Sequence, residues 1–397
     1  MSAETEVHPP DHTTHRAETR TGRHTPWAAA LGAAALAAAI VCVVLIAFAW
    51  PSVTAKVQNL PIAAVGSADQ IAQVTSKAPA GALDVRTASS RDDAIGQIQR
   101  RDVYGAIVLG SSPEILVASA ASPVASQALT QLGSQMQQGI QQQVIAQLKQ
   151  ALQQAQQRAQ APQSQAPQSQ APQPGAPQPG SPQPGSQGGA PSAGAQQNAA
   201  TPTVAITDVV PLSSDDPRGT GLAVAGLPLV IGGILGGVLI SLLVSGTWRR
   251  LVAVIAYGVA GGLGLAGILQ GWFHILQSSY WINAGAIGLG IAATAALIAG
   301  LNALIGRAGI ALGAVITMFI GNPLSALTQP KEFLPAPWGD VGQWFVPGAS
   351  GTLLRELSYF PSADTMFPWL VLGGWAVAGA LFIAVGHFRN QPAAAEL

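Results

Sequence analysis

Residues 221–245 read GLAVAGLPLVIGGILGGVLISLLVS and hold no charged side chain. A helix rises about 1.5 Å per residue, so a run of this length covers the ~30 Å hydrocarbon core of a bilayer. Five further uncharged apolar runs lie at 27–50, 251–271, 282–305, 308–328 and 366–386. A soluble protein has no use for six such runs. The pattern predicts a polytopic α-helical membrane protein of six spans, one first and five last. The mostly polar residues 51–220 stand between span 1 and span 2.

The composition averages these two parts. Charged residues make up 9% of the chain and the formal net charge is zero, so net charge selects no partner, and no nucleic-acid partner is expected. Cys42 is the one cysteine and sits inside the first apolar run, which rules out an intramolecular disulfide. Ile40-Val41 precede it where a lipoprotein signal needs small residues. Arg16, Arg20 and Arg23 before this run, and Ala47-Phe48-Ala49 at its end, resemble a signal peptide. A secretory apolar region has only ~7–15 residues, so an uncleaved anchor is expected.

Arginine placement gives the orientation. With the N-terminus in the cytoplasm, Arg16, Arg20, Arg23, Arg249, Arg250, Arg307 and Arg389 all fall inside. Long domains are exempt from this count, and the outer loop at 272–281 has neither Lys nor Arg. Both termini are thus expected in the cytoplasm of a multi-pass protein of the cytoplasmic membrane. Trp50, Trp272, Trp281, Trp338, Trp344 and Trp369 then lie near the outer interface and Trp248 at the inner one.

The outer part divides by periodicity. Residues 51–122 alternate strand and helix signals: Pro61–Val65, a helix over 68–78, Leu83–Thr87, a helix over 91–101 capped by Ser90, then Tyr104–Leu109 and Glu114–Ala118. Asp92 and Asp93 begin the second helix and Arg100-Arg101 end it, as the helix dipole favours. A small extracytoplasmic α/β domain follows. Residues 123–160 form a Gln-rich amphipathic helix whose stripe, Leu129, Leu132, Met136, Ile140, Val144, Ile145, Leu148 and Leu152, suits either packing within the assembly or a coiled coil. From Ala161 five-residue units repeat (APQSQ, APQSQ, APQPG, APQPG, SPQPG), and their prolines forbid helix through a linker over 161–202. Thr203–Val210 reads as a strand able to return to the sheet, within a lead-in of 203–220. Residues 1–26 and 388–397 are cytoplasmic tails; His8, His12, His15 and His24 in the first offer no geometry for a metal.

Chemistry-bearing motifs are lacking. No GxxxxGK[ST], GxSxG or HExxH occurs, so no catalytic, cofactor-binding or metal residue is assigned, and ATP hydrolysis by this chain is not expected. Small residues at four-residue spacing, Gly232 with Gly236 and Gly258 with Gly262, let helices approach closely, either within one bundle or at a dimer or sliding interface. Asn322-Pro323 ends or kinks the fifth span. The segment 329–365 is too amphipathic to span and too apolar to float. It belongs in the interface or dips back into the bundle, as a plain loop or an outer gate. Gate candidates are Asn322, Pro323, Glu332, Pro335, Trp344, Pro347 and Arg355.

Three stretches carry a resemblance. Leu60-Pro-Ile-Ala-Ala-Val-Gly66 and Arg101-Asp-Val-Tyr-Gly-Ala-Ile-Val108 are two. The third joins Gly321-Asn-Pro-Leu-Ser-Ala326, Glu332-Phe-Leu-Pro335, Val346-Pro-Gly-Ala349, Leu354-Arg-Glu and Tyr359-Phe360. With the one-plus-five order they resemble the permeases of ABC type-2 exporters, in particular the YhgE/Pip-like integral membrane proteins. The Ala/Gly/Pro-rich bias resembles that of an actinobacterium. The resemblance spans most of residues 27–387. It implies a paired or homodimeric permease that exports an amphipathic cargo with a separate ABC ATPase. The inner loops, 246–250 and 305–308, are short, so Arg249, Arg250 and Arg307 either dock that ATPase or only satisfy the positive-inside rule. The absence of charge inside the spans argues against ion coupling and suits a lipid-like cargo. The rival expectation is an envelope scaffold whose outer domain binds a partner without transport.

Overall fold

The computed structural model describes residues 27–110, 112–160 and 203–389. The histidine- and arginine-bearing N-terminal tail, the proline repeats and the last eight residues lie outside these described residues.

Helix α1 runs Trp27–Thr54. Its part up to Ala49 forms one unit, and the chain from Trp50 onward forms a second. Leu31, Leu36, Leu45 and Ile46 on α1 are exposed.

The second unit begins with the α/β domain. Its elements follow as β1 (Leu60–Val65), α2 (Ala68–Thr75), β2 (Leu83–Thr87), α3 (Arg91–Gln99), β3 (Gly105–Val108), β4 (Glu114–Val117), α4 (Pro123–Gln160) and β5 (Ala205–Asp208). The sheet order is β2-β1-β3-β4-β5, parallel throughout except for the antiparallel β3–β4 pair. Residues 203–210 thus return to the sheet edge, with Ile115 opposite Ile206. Local signals explain the helices. Ser67 and Gln70 form a capping box on α2, and Ser90 Oγ accepts from the Asp93 N–H at 3.1 Å to cap α3.

Period-2 alternation splits the sheet into two cores. Leu60, Ile62, Ile107, Ile115 and Val117 face Leu129, Leu132 and Met136 of α4. Ala63, Ala106 and Leu116 face Ala94 and Ile98 of α3. The stripe of α4 divides at about one-half: Leu129 is fully buried, whereas Ile145, Leu148 and Leu152 are exposed.

Helices α5 (Thr220–Leu243), α6 (Thr247–Ala266, continued by a π segment Gly267–Trp272), α7 (Tyr280–Ile305) and α11 (Met366–Arg389) build the bundle. Among the described residues four helices are long and apolar enough to cross a membrane: Thr220–Leu243, Thr247–Trp272, Tyr280–Ile305 and Met366–Gly386. These mark a membrane protein. Helix α7 is the hub, and its small residues allow the others to close around it. A side chain at Gly258 or Gly262 of α6 would strike the α7 backbone at Gly288 or Ala284, and one at Gly237 of α5 would strike Ala295.

One expectation needs correction, and one pair of alternatives is decided. The fifth run does not form a helix over 308–328. Helix α8 (Arg307–Ala314) widens into a π segment, Val315–Gly321, and Pro323 then opens a 3-10 turn over Pro323–Ser325. Proline lacks an N–H and its ring clashes with the preceding turn, so the regular helix stops before it. The segment 329–365 is not a plain loop. It forms a 3-10 turn Lys331–Phe333, α9 (Trp338–Gly342) and α10 (Val346–Tyr359). Val346, Ala349, Leu353 and Leu354 of α10 are buried in one core with Leu222 of α5 and Ala286 and Ile287 of α7.

Candidate functional site

The two ends of the segment 331–360 grip the sheet from opposite faces. Phe333 enters the core beneath α4, and Phe360 enters the core beneath α3. One backbone and one side-chain bond tighten the first grip: Lys56 N–H donates to Phe333 O at 3.2 Å and Gln58 Nε2 to Leu334 O at 2.9 Å. Trp50 meets Trp338 edge-on, with ring centroids 6.4 Å apart. Between these anchors the domain, α10 and the bundle enclose a charged site.

Arg101 is aimed into that site by a helix ending. The Arg101 N–H donates to Ile98 O at 2.9 Å and the Asp102 N–H to Gln97 O at 3.0 Å, the pairing of a Schellman motif. Glycine normally fills the left-handed position of this motif, yet Arg101 holds it at φ 60°. Its guanidinium Nη1 lies 3.3 Å from Glu356 Oε1 and stands 5.5 Å from the Phe360 ring centre. Three residues on, Tyr104 Oη donates to Glu332 Oε2 at 3.0 Å. Burial, then the nearby Glu332 carboxylate, pushes the Tyr104 phenol well above its ordinary range.

Glu356 is 8% exposed, and its Oε2 has no hydrogen-bond partner among the described residues. Loss of solvent raises its carboxyl above the ordinary glutamate value; Arg101 and Arg355 pull the other way. The half-buried Arg355 donates from Nη2 to Leu327 O at 2.8 Å and forms no ion pair among the described residues. Burial, and then Arg101, lowers it to about 10, so it stays charged near neutrality. A cavity of 420 Å³ has Arg101, Arg355 and Glu356 in its wall, together with Trp344 and Phe367. A larger cleft of 1020 Å³ lies between α4, the start of α5 and Leu327–Gln329. Arg355 borders both spaces.

The structure brings some sequence candidates together and leaves others apart. Of the gate candidates, Trp344 and Arg355 border the smaller cavity. Glu332 holds Tyr104, and Pro347 lies buried in the first turn of α10. Asn322 and Pro323 shape the 3-10 turn, where Asn322 O accepts from Ser325 Oγ at 2.6 Å; Pro335 precedes α9. At the other end of the bundle, Arg249 and Arg307 are exposed. Arg250 instead donates from Nε to Val244 O at 2.8 Å, satisfying a carbonyl left open at the end of α5. Gly236 receives the Tyr257 ring, and Gly232 O accepts from Tyr257 Oη at 2.5 Å. Arg101, Tyr104 and Glu356 were not singled out as site residues. Their partners lie more than 200 residues away, which no local pattern encodes.

No family model, curated protein or solved structure matches this chain.

Proposed function

We propose that this chain is the permease-like membrane subunit of an ABC-type exporter, moving an amphipathic or lipid-like cargo outward with a separate ATPase. The observation that carries the reading is the pair of polar spaces that meet at Arg355, where the α/β domain is clamped onto a bundle whose spans hold no interior charge. Uncharged spans lack the titratable groups of ion coupling, so energy has to come from a partner. In this reading α1 and the α8 segment add two crossings to the four long helices. Both termini then lie in the cytoplasm, the membrane is the cytoplasmic one, and the α/β domain is outside. Exposed Trp272 and Trp281 near one end of the bundle and Trp248 at the other suit two interfacial belts. Arg249 and Arg307 are the docking surface for the ATPase, and the permease works as a pair.

A second reading has one specific support: the exposed Ile145, Leu148 and Leu152 of α4 suit a scaffold that holds an envelope partner. The test is affinity capture of the tagged full chain in mild detergent, with mass spectrometry of its companions. A nucleotide-binding ATPase that is lost in an Arg249→Glu, Arg307→Glu double variant supports the exporter. Envelope proteins alone, retained by that variant, support the scaffold and sink the exporter.

A further inference from the structure

We propose that Leu327 is a removable plug between the 1020 Å³ cleft and an apolar slot inside the bundle, and that the aliphatic part of an amphipathic cargo passes where its side chain stands. The inference deepens the exporter reading by naming a residue that decides what passes. It rests on that reading for the cargo and its direction, not for the plug itself.

The slot lies among α5, α7 and α10. Leu222, Ile291 and Leu354 give it aliphatic walls, and Gly226, Gly290 and Gly351 leave bare backbone where side chains would fill it. Its volume of 30 Å³ is room for about one or two waters, far less than an alkyl chain needs. Among the described residues Leu327 alone lines both this slot and the cleft. Its forked side chain stands between two helices. A methyl group built on Gly226 of α5 would meet Leu327 Cδ1 at 2.5 Å, and one on Gly351 of α10 would overlap Leu327 Cδ2.

Leu327 is not fixed as a leucine within a helix is. It lies half-buried on a bend between the 3-10 turns Pro323–Ser325 and Lys331–Phe333. Ala326 just before it holds φ 53°, a left-handed backbone that a β-carbon disfavours. Across the gap Arg355 Nη2 donates to Leu327 O at 2.8 Å, a charge-assisted bond. Two tendencies therefore oppose each other. The arginine bond and the burial of the isobutyl group hold the plug in place, and relief of the backbone at Ala326 favours its release. A segment balanced in this way has two positions between which small energies decide. Withdrawal of Leu327 joins the cleft to the slot. The aliphatic walls then admit an aliphatic group. A charged group stays in the cleft, because entering the slot would strip its hydration without return.

The test is the rate at which iodoacetamide labels Thr294→Cys in the full chain in detergent, in a Cys42→Ser background, read by mass spectrometry. Thr294 lines the slot from α7 and is 2% exposed, so labelling reports opening. Rates are scaled to those of Ser134→Cys, which lines the cleft and is exposed. Leu327→Ala should speed labelling more than tenfold, as truncating any leucine beside the slot would. The deciding variants leave the plug intact. Arg355→Met removes the bond to Leu327 O and should speed labelling about tenfold, roughly the worth of one hydrogen bond from a charged group. Ala326→Gly eases the closed backbone and should slow labelling about fivefold, a direction that misfolding does not mimic. Iodoacetate, the charged analogue, should gain less than iodoacetamide in Arg355→Met. Ser241→Cys, buried near the other end of α5, should stay unlabelled in every folded variant. An Arg355→Met rate equal to the parent's, with Ser241→Cys silent, overturns the proposal. So does an Ala326→Gly rate no lower than the parent's, which decides alone if Arg355→Met unfolds. An equal gain for iodoacetate overturns the aliphatic selectivity. Labelling needs no partner, so its failure leaves the ATPase capture unaffected. A moving plug without a captured ATPase removes the exporter reading and leaves the plug.

Discussion

Arg101 occupies a backbone position that glycine would hold at lower energy, and its side chain accounts for the exception. A left-handed conformation costs a β-carbon-bearing residue roughly 1–2 kcal/mol. Arg101→Gly removes that cost but leaves the Glu356 carboxylate buried with its closest cation gone. Breaking such a pair costs about 3–5 kcal/mol, so the variant should be less stable overall. The loss depends on pH. The folded-state value of Glu356 is raised, so its contribution favours the fold at low pH and fades as pH rises through that value. Arg101 opposes this shift, and removing it makes the rise larger. Thermal unfolding in detergent should therefore show a small Arg101→Gly deficit below the ordinary glutamate range and a larger one at pH 8. An equal deficit at both would show that Glu356 is not the group left unpaired.

Helix α6 lies against α7 through glycine, and the contact is specific to one face. A methyl group at Gly262 meets the Ala284 carbonyl and the Gly288 backbone, whereas one at Gly264 meets nothing within 4 Å. Gly262→Ala should destabilise the bundle by about 1–3 kcal/mol, the usual cost of overpacking. Gly264→Ala should be neutral or mildly stabilising, since alanine is the better helix former. Denaturant titration of the two variants separates them, and similar values would refute the close α6–α7 contact. Helix α4 allows a parallel comparison along one stripe. Leu129→Ala removes a fully buried side chain and should cost about 2–5 kcal/mol. Leu148→Ala, at a residue 58% exposed, should stay within about 0.5 kcal/mol in the isolated chain. A large Leu148→Ala loss would mean that a partner covers that half of the helix in solution.

The segment 331–360 clamps the α/β domain to the membrane bundle, and the proposed orientation assigns a side to each end. In a Cys42→Ser background, Ser134→Cys on α4 should react with a membrane-impermeant maleimide in intact cells. Arg249→Cys, in the first turn of α6, should react only after the membrane is opened. The reverse pattern would invert the proposed topology.

Much of this was legible in the order of residues. Charge-free runs of about twenty residues mark the long helices because only a helix satisfies its backbone groups within one segment in hydrocarbon. Alternation in Leu83–Thr87, the Ser90 cap and the proline at 323 are local signals with local causes, and the elements they predict stand where they were read. The Asn322-Pro323 break was visible too, but not that a π segment would precede it and end the regular helix at Ala314. What depended on the tertiary structure was which distant parts meet. Phe333 and Phe360 enter opposite faces of one sheet, Arg101 reaches Glu356 across 255 positions, and only the first half of the α4 stripe finds a surface to cover. Local propensity and hydropathy determine what each segment becomes. Burial and charge pairing between segments depend on shape complementarity across the whole fold, which no window of sequence contains.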